Sequence, residues 1–362
     1  MKALKFAVPV LIVVSLIAIS RGITEATLAG ENGNVIVDST VATQARVQDQ
    51  PRLESTSVAD SSPSDSAPAI ESRLPISNDP YLEEQWALSQ IQMVELWQVT
   101  TGSPEILVAV LDTGIDQSHE DLEGRVVAEV NFADSPTPSD THGHGTHIAG
   151  IIAANGDNGI GIAGVAPGCR LINVKVSDDK GRCQASTVAE GIVWATDNGA
   201  SVINISIELG EPALELEEAV NYAWSRGVVI IVAAGNDGSQ SPTYPAYYEN
   251  CIAVAATRQN DVLAPLSNHG DWVDVAAPGF NIYSTLPQNS YGYKTGTSFA
   301  TAYVSGLAAL LFDLVTDTNG NGRLNDEVRE AIEAGCLEIG LNGVGEGRID
   351  AAGSLAEAGY TP

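Results

Sequence analysis

Residues 107–116 read LVAVLDTGID, an apolar run that stops at Asp112 and gives way to small and polar residues. Further runs with strand character lie at residues 170–176, 202–206, 228–233 and 251–255. Helical apolar periodicity fills the intervals at residues 144–153, 185–197 and 212–225. Because such strands are apolar on both faces and alternate with helices, they predict a doubly wound, mainly parallel α/β sheet with helices on both faces.

Polar residues lie at the ends of these strands and at the starts of helices, where such sheets place their sites. Asp112 follows a strand at residues 106–111, His144 opens the helix in HGHGTHIAG, and Ser298 opens another in GTSFA. Acyl transfer needs these residue types, because a serine attacks when an imidazole takes its proton and a carboxylate orients the imidazole. Asn236, in IIVAAGNDG, adds an amide donor for the oxyanion.

In type, order and spacing, these segments resemble the subtilisin family of serine endopeptidases, and the resemblance covers residues 79–362. It implies that Asp112 orients the base, that His144 is the general base and acid, and that Ser298 is the nucleophile that forms an acyl-enzyme. It also implies an oxyanion hole made by Asn236 and the backbone N–H of Ser298. We therefore expect a monomeric endopeptidase acting on proteins or peptides; a catalytically silent peptide-binding member is the competing hypothesis.

Substrates of this family add a strand to the enzyme between two protein segments. The resemblance places these segments at Gly181, Arg182, Cys183, Ser206, Ile207 and Glu208. The chain departs from the family at Glu208 and Thr243, where glycine is usual. Both side chains would narrow the primary specificity pocket, so we expect a preference for small or basic residues before the scissile bond. In the alternative, Glu208 points into solvent.

Calcium is the cofactor that the resemblance implies, above all to thermitase-like members of the family. It maps one site onto Asp79, Asp121 and Asn158, with backbone carbonyls of which Ile160 and Ile162 are candidates. These ligands are oxygen atoms, as calcium prefers. The loop NGDNGIGI is one residue longer than in subtilisin, which leaves the choice of carbonyls open.

A second candidate calcium loop reads DTNGNGRLNDE (residues 317–327). Asp317, Asn319 and Asn321 stand at alternate positions before a glycine, as in the first half of an EF-hand loop. The twelfth position is Val328, with Glu327 one place early, so a ligand there needs an altered geometry. The alternative is an exposed turn before a helix that begins near residue 325.

Composition and context exclude other chemistries. The chain has 46 acidic against 17 basic residues, a formal net charge of −29, which disfavours a nucleic-acid partner. The pattern G-x-G-x-x-G at residues 159–164 follows a helix and leads into a strand, the reverse of a dinucleotide site. The histidines around residue 144 lack a Cys or Glu that would complete a zinc site.

The N-terminal residues predict export. Residues 1–20 have the basic start and short apolar run of a signal peptide, with an uncleaved membrane anchor as the alternative. Residues 21–78 are rich in Ser, Thr, Ala, Asp and Pro and read as a linker or propeptide. We expect a secreted peptidase without stable membrane association after cleavage. Its four cysteines allow three complete disulfide pairings or free thiols.

Overall fold

A computed structural model describes residues 35–36 and 77–360 of the chain. The predicted signal peptide lies outside these residues, and of the predicted linker only residues 35–36 and 77–78 fall within them. The described strands are β1 (Val35–Ile36), β2 (Leu107–Asp112), β3 (Val126–Asn131), β4 (Arg170–Lys175), β5 (Arg182–Cys183), β6 (Val202–Ile205), β7 (Val229–Ala233), β8 (Ile252–Thr257), β9 (Val275–Pro278), β10 (Ile282–Leu286) and β11 (Ser290–Lys294).

The central sheet of the described region has seven strands in the order β3-β4-β2-β6-β7-β8-β9, and every pair is parallel. The predicted parallel sheet is therefore confirmed, and five of its strands lie where the apolar runs predicted them. The edge strands β3 and β9 were not predicted. Strand β3 alternates between exposed and half-buried positions, and β9 is a four-residue segment that ends in proline, so neither has a long apolar run.

Two apolar cores cover the two faces of the sheet. Val108 and Val110 of β2 belong to one core, whereas Ala109 and Leu111 belong to the other. This division follows from the alternation of side chains along a strand. All residues of β2 after Leu107 are buried, so the strand that precedes Asp112 is a rigid element.

The helices of the described region lie on both faces of this sheet. They are α1 (Trp86–Gln90), α2 (Met93–Trp97), α3 (His144–Ala153), α4 (Ala185–Asp197), α5 (Leu214–Ser225), α6 (Thr297–Leu311), α7 (Asn325–Ala334) and α8 (Ala351–Glu357), with 3₁₀ turns at Leu82–Glu84 and Gln259–Asp261. Residues of α3 and α6 lie in the first core and residues of α4 and α5 in the second. Helix α5 begins two residues later than predicted, because Ala213 is extended with φ −132° and ψ 127°.

Helix α6 is the central helix of the fold, and all fifteen of its residues are buried. It packs against β6, β7, β8 and β9 on one side and against α3 on the other. A helix that is apolar on every side is stable only inside a protein core. Its N-terminus, which carries Ser298, is thereby held at a constant position relative to the carboxyl ends of the strands.

Three further features bear on the sequence predictions. No helix in the part of the chain that the structure describes is long and apolar enough to cross a membrane. Cys169, Cys183, Cys251 and Cys336 are all free thiols, so no disulfide joins them. Burial raises the pKa of the Cys183 thiol to about 12, which keeps it protonated and poorly nucleophilic.

Candidate active site

Asp112 and His144 form a hydrogen-bonded pair at the carboxyl edge of the sheet. The Nδ1 atom of His144 lies 2.8 Å from Oδ1 and 3.0 Å from Oδ2 of Asp112. Both side chains are buried, Asp112 completely. Because the carboxylate accepts a hydrogen bond from Nδ1–H, the ring presents Nε2 as the basic nitrogen, which is the tautomer that a general base needs.

The N-terminus of α3 is held by Asp140, a buried residue that the sequence analysis missed. Its Oδ1 accepts hydrogen bonds from the N–H groups of His142 and Gly143 at 2.9 and 2.8 Å. Its Oδ2 accepts from the N–H and the hydroxyl of Thr146. Asp140 thus anchors the loop and first turn that carry His144. An acidic residue just before HGHG was the signal that could have revealed it.

Lys175 is a second positioning residue that the sequence did not reveal. It ends β4 and is fully buried, and its ammonium donates to the carbonyl oxygens of Thr113 and Ser139 at 2.6 and 3.2 Å. Its charge is paired with Asp179 at 2.8 Å. Since Thr113 directly follows Asp112, this cation fixes the loop after β2.

A buried polar chain ties Ser298 to the sheet. The hydroxyl of Ser206 donates to the carbonyl oxygen of Ser298 at 3.2 Å and accepts from the amide of Asn204 at 3.1 Å. The amide oxygen of Asn204 accepts in turn from Ser305, further along α6, at 3.0 Å. The first and third turns of α6 are therefore joined to β6 and the residue that follows it. Asn204 and Ser305 were not predicted; a polar residue inside the apolar strand VINIS was their signal.

Asn236 is oriented by Thr297. Its Oδ1 accepts from the backbone N–H of Thr297 at 2.9 Å and from the threonine hydroxyl at 3.2 Å. The threonine hydroxyl also accepts from the N–H of Gly235 at 3.1 Å. Because both bonds engage the oxygen of the amide, Nδ2 faces the opposite way as a donor. The structure thus brings Asn236 and the start of α6 together.

The imidazole of His144 lies beside the start of α6, with its ring centroid 5.5 Å from that of Phe299. Ser298 is 6% exposed and is the second residue of the helix. No hydrogen bond joins its hydroxyl to His144 among the bonds of the described residues. Such bonds are often long in unliganded active sites and tighten only on a bound substrate.

The predicted substrate segment at Gly181, Arg182 and Cys183 lies outside the central sheet, in and beside strand β5. Gly181 adopts φ +73°, which favours glycine, and Arg182 pairs with Asp178 at 2.6 Å. Strand β1 pairs antiparallel with β5, with Val35 opposite Cys183. This segment can therefore pair with an antiparallel strand, and its role in binding a peptide substrate stays a prediction.

Glu208 and Thr243 lie on two segments joined by a β-bridge. Leu209 and Tyr244 exchange two backbone hydrogen bonds of 2.8 Å, so Glu208 and Thr243 each directly precede a residue of this antiparallel bridge. The carboxylate of Glu208 turns inward, and its Oε2 accepts from the N–H of Asn236 at 3.0 Å. The alternative that Glu208 points into solvent is wrong, because this side chain is half-buried and bonded to the backbone of Asn236.

Thr243, the second departure from the family pattern, is also held in place by a hydrogen bond. The side chain of Thr243 is buried, and its hydroxyl donates to the carbonyl oxygen of Ala234 at 3.0 Å. A Cβ atom added to Gly235 would collide with Oε2 of Glu208, so only glycine leaves room for this carboxylate. Ser206 and Ile207, which precede Glu208, are buried. The narrowing of the primary specificity pocket by Glu208 and Thr243 stays a prediction.

The first predicted metal cluster comes together in space. The carboxylate of Asp79 accepts N–H bonds from Asp157, Asn158 and Gly159 at 2.9, 3.1 and 3.2 Å. Oδ1 of Asp121 accepts from the amide of Asn158 at 3.0 Å. Both carboxylates are buried, and neither takes part in an ion pair among the described residues. Burial, reinforced by the charge of Asp79, raises the pKa of Asp121 to about 6.

Two buried carboxylates that repel each other fit a bound cation, which would offset the cost of their burial. Ile160 and Ile162, the candidate carbonyl ligands, both have backbone N–H groups that donate within this cluster. At Ile162 it is the N–H, at 2.8 Å, that faces Asp121, because this donor neutralises part of the carboxylate charge. Ile160 is exposed, and its N–H donates to Oδ1 of Asn158 at 2.7 Å. Within residues 77–360, no three His, Cys, Asp or Glu side chains form a metal-binding group, so a site here depends on amide and carbonyl oxygens.

The second predicted metal loop lies apart from these residues, between α6 and α7. Asp317, Asn319 and Asn321 are exposed, and α7 begins at Asn325 as the sequence predicted. Glu327, the acidic residue that stands one place early, is buried in the first turn of α7.

Comparisons with known proteins agree with this geometry. The profile of the subtilase family matches residues 103–333. The chain is 48% identical over 238 residues to the thermophilic serine proteinase of Bacillus sp. (strain AK1), a match that spans 66% of this chain and 58% of that protein. It is 44% identical over 278 residues to thermitase of Thermoactinomyces vulgaris, across 76% of this chain and 97% of thermitase.

A solved structure of a protease from Pseudoalteromonas arctica has the same fold. It superposes with a TM-score of 0.70 at 30% sequence identity, and the match covers 78% of this chain and 99% of that chain. The family profile spans the residues from the strand before Asp112 to the helix after Ser298. By fold and sequence, the chain belongs to the subtilase family, as a thermitase-like serine peptidase.

Proposed function

We propose that this subtilase is a secreted, calcium-stabilised endopeptidase that hydrolyses peptide bonds with Asp112, His144 and Ser298. The hydrogen bond between His144 and Asp112 is the observation that carries the proposal, because it sets the tautomer in which Nε2 accepts a proton. The position of Ser298 in the first turn of a fully buried helix adds support, since the free N–H groups of that turn favour a developing negative charge.

The proposed reaction has two halves. In the first, the Ser298 hydroxyl attacks the scissile carbonyl while its proton passes to Nε2 of His144, and the same proton then passes to the leaving amine. In the second, a water gives its proton to Nε2 and attacks the acyl-enzyme, and Ser298 leaves with that proton. Asp112 stabilises the imidazolium in both halves.

The oxyanion of each half would be held by Nδ2 of Asn236 and by the backbone N–H of Ser298. Support comes from the two bonds by which Thr297 holds the amide oxygen of Asn236. A donor that is already oriented before substrate arrives loses no free energy to reorganisation during the reaction. Thr297 is in this scheme a positioning residue.

Labelling with a fluorophosphonate probe tests the proposal. The parent protein should be labelled at Ser298, and Ser298→Ala should lose the label. Ser225→Ala, which removes an exposed hydroxyl at the end of α5, is the matched control and should be labelled at the parent rate. Absence of label on folded parent protein would instead favour a catalytically silent peptide-binding member of the family.

We further propose that the primary specificity pocket selects small or basic residues. Glu208 supports this proposal, because its carboxylate crosses from the segment after β6 to Asn236 and occupies the space that a glycine would leave open. A large apolar side chain would have to displace a charged group from its hydrogen bond, whereas a guanidinium or ammonium group would pair with it.

Calcium at Asp79, Asp121 and Asn158 is the proposed stabilising cofactor. Its support is the pair of buried carboxylates without an ion-pair partner among the described residues. Calcium would supply charge neutralisation and tie the segment around Asp79 to the loop at residues 155–162, with no part in the bond-breaking steps.

Secretion is proposed from the N-terminal pattern of residues 1–20 alone. Recovery of the peptidase from the culture medium, followed by N-terminal sequencing, would identify both the signal cleavage and the processing point before Asp79. Retention of residues 1–20 on a cell-bound protein would contradict this part of the proposal.

A further inference from the structure

The loop between α6 and α7 is folded around the carboxylate of Asp317. Its Oδ1 accepts from the N–H groups of Gly320 and Asn321 at 2.6 and 3.2 Å, and its Oδ2 accepts from Gly322 at 2.8 Å. Gly320 and Gly322 adopt φ of +74° and +77°, so the backbone can turn tightly around the acid. These bonds describe the shape of the loop and do not by themselves indicate a ligand.

Glu327 supplies the independent observation. It is only 8% exposed, and its Oε1 accepts from the N–H groups of Thr318 and Asn319 at 2.9 and 3.4 Å. The carboxylate therefore faces back into the loop from the first turn of α7. Its second oxygen, Oε2, is buried and has no hydrogen-bond partner. A buried, unpaired carboxylate oxygen is costly unless a ligand satisfies it.

Basic side chains nearby do not satisfy this oxygen. Arg323 donates to the carbonyl oxygen of Ser225 at 2.9 Å, and Arg329 pairs with Asp274 and Glu333. None of the ion pairs of the described residues involves Glu327 or Asp317. The neighbouring carboxylate of Asp326 also has a buried oxygen, Oδ1, without a hydrogen-bond partner, and a cation from solution has the charge that would offset both.

Two amide oxygens complete the set of candidate metal ligands. Oδ1 of Asn319 accepts from the N–H of Asn321, and Oδ1 of Asn321 accepts from the N–H of Arg323, so each oxygen retains a second lone pair. The Nδ2 atoms of both amides donate to Oδ2 of Asp326, which orients the two oxygens away from that carboxylate. Asp326 is thus a positioning residue that orients the two amide ligands.

We propose that this loop binds calcium through Asp317, Asn319, Asn321 and Glu327. Glu327 takes the place of the glutamate that an EF-hand has one residue later. It can do so because α7 begins at Asn325 and its first turn brings Glu327 onto the second and third residues of the loop. Two carboxylates with two amide oxygens are hard oxygen ligands in a loop, which suit Ca²⁺ better than the strict octahedron of Mg²⁺.

Binding of a cation would hold three helices together. The loop joins α6, whose N-terminus carries Ser298, to α7, and Asn325 also donates to the carbonyl oxygen of Trp224 at 3.1 Å. A cation would therefore join α6, α7 and the end of α5. The site is separate from the cluster around Asp121 and does not depend on the proposed catalytic roles.

Terbium luminescence tests the proposal on the full-length protein, because Trp224 lies against the loop and can sensitise Tb³⁺. Ca²⁺-displaceable emission on tryptophan excitation is expected for the parent. It should fall in Trp224→Phe, and Glu327→Gln should weaken Tb³⁺ binding at this site at least about tenfold, the range seen when a metal site is perturbed. Glu330→Gln, an exposed neighbour on α7, is the control and should bind as the parent does.

A second variant distinguishes loss of the binding site from misfolding of the protein. Asp317→Asn keeps the size and most of the N–H acceptors of Asp317 and should also weaken Tb³⁺ binding, while circular dichroism and fluorophosphonate labelling remain those of the parent. Equal Tb³⁺ affinity and stoichiometry in Glu327→Gln, Asp317→Asn and Glu330→Gln would overturn the proposal.

Discussion

The carboxylate of Glu208 accepts a hydrogen bond from the backbone N–H of Asn236 at 3.0 Å. Glu208, the proposed specificity residue, lies on the segment after β6. Asn236, the proposed oxyanion donor, lies on the segment after β7, and the two residues are adjacent. Carboxyl ends of neighbouring parallel strands meet at one edge of a sheet, which explains why residues far apart in sequence are in contact here.

Replacing Glu208 should change substrate preference. In Glu208→Gly, kcat/KM should fall for peptides with Arg or Lys before the scissile bond and rise for those with Phe or Leu. A lost charge-assisted contact of about 1.5–3 kcal/mol corresponds to a change of roughly ten- to a hundredfold. Glu211→Gly, an exposed site in the same loop, should keep the parent profile. A peptide library with an unchanged Arg-to-Phe ratio would reject the role of Glu208.

Removing the amide of Asn236 should lower turnover with little effect on substrate binding. Loss of one oxyanion donor costs about 10²–10³ in kcat, because the bond is made chiefly in the transition state. Asn236→Ala should show this loss in steady-state kinetics with a nearly constant KM. A raised KM at an unchanged kcat would mean that Asn236 binds the ground state and would contradict the assignment.

Calcium should stabilise the protein through Asp121. A ligand present at a hundred times its Kd adds about 2.7 kcal/mol to the free energy of unfolding. The rise in Tm between chelator and excess Ca²⁺ should be smaller in Asp121→Asn than in Glu123→Gln, an exposed neighbour that serves as control. If calorimetry finds that Ca²⁺ raises Tm equally in both variants, calcium does not bind at Asp121.

Replacement of Gly145 in α3 by a larger residue should destabilise the folded protein. A Cβ atom there would collide with the carbonyl oxygen of Gly114 and lie 3.1 Å from the side chain of Asp112. Gly145→Ala should lower the free energy of unfolding by about 1–3 kcal/mol, as overpacking does, and should slow fluorophosphonate labelling. Gly210→Ala, where a Cβ meets no atom within 4 Å, is the control in the same denaturant titration. Equal stability of the two variants would refute the close approach.

Stability should fall in acid partly through His147. Burial lowers the pKa of His147 to about 3, against about 6.5 for an ordinary imidazole. The unfolded chain therefore binds a proton between these values while the folded protein does not. The contribution of His147 is complete above the unfolded pKa and is lost as pH falls below it.

His147→Gln keeps a donor for the carbonyl oxygen of Gly292, the partner of Nε2 at 3.1 Å. Its free energy of unfolding should depend less steeply on pH between about 6.5 and 3 than that of the parent. His269→Gln, at a partly exposed histidine, is the comparison. If the free energy of unfolding depends on pH in the same way in the parent and in His147→Gln, then His147 does not contribute to the loss of stability in acid.

Much of the fold and of the site was open to prediction from sequence. The run that ends at Asp112 identified a buried strand, and HGHG and GTSFA identified the starts of α3 and α6, because burial on both faces leaves a long apolar pattern. Edge strand β3 left no such pattern, since one of its faces meets solvent. The positioning residues Asp140 and Lys175 were missed for another reason: their partners lie on other segments, and no local period marks a buried polar contact.

The amino-acid order by itself determined the parallel α/β sheet and the family, and it predicted the catalytic roles proposed for Asp112, His144, Ser298 and Asn236, because periodicity and short motifs are local properties. Only the tertiary structure decided that Glu208 faces Asn236 instead of solvent, that Ile162 offers its N–H to Asp121, and that Glu327 reaches back over its loop with one oxygen unpaired. The physical reason is that a side chain's direction is set by the donors and charges packed around it, and these come from strands and helices that are distant in sequence.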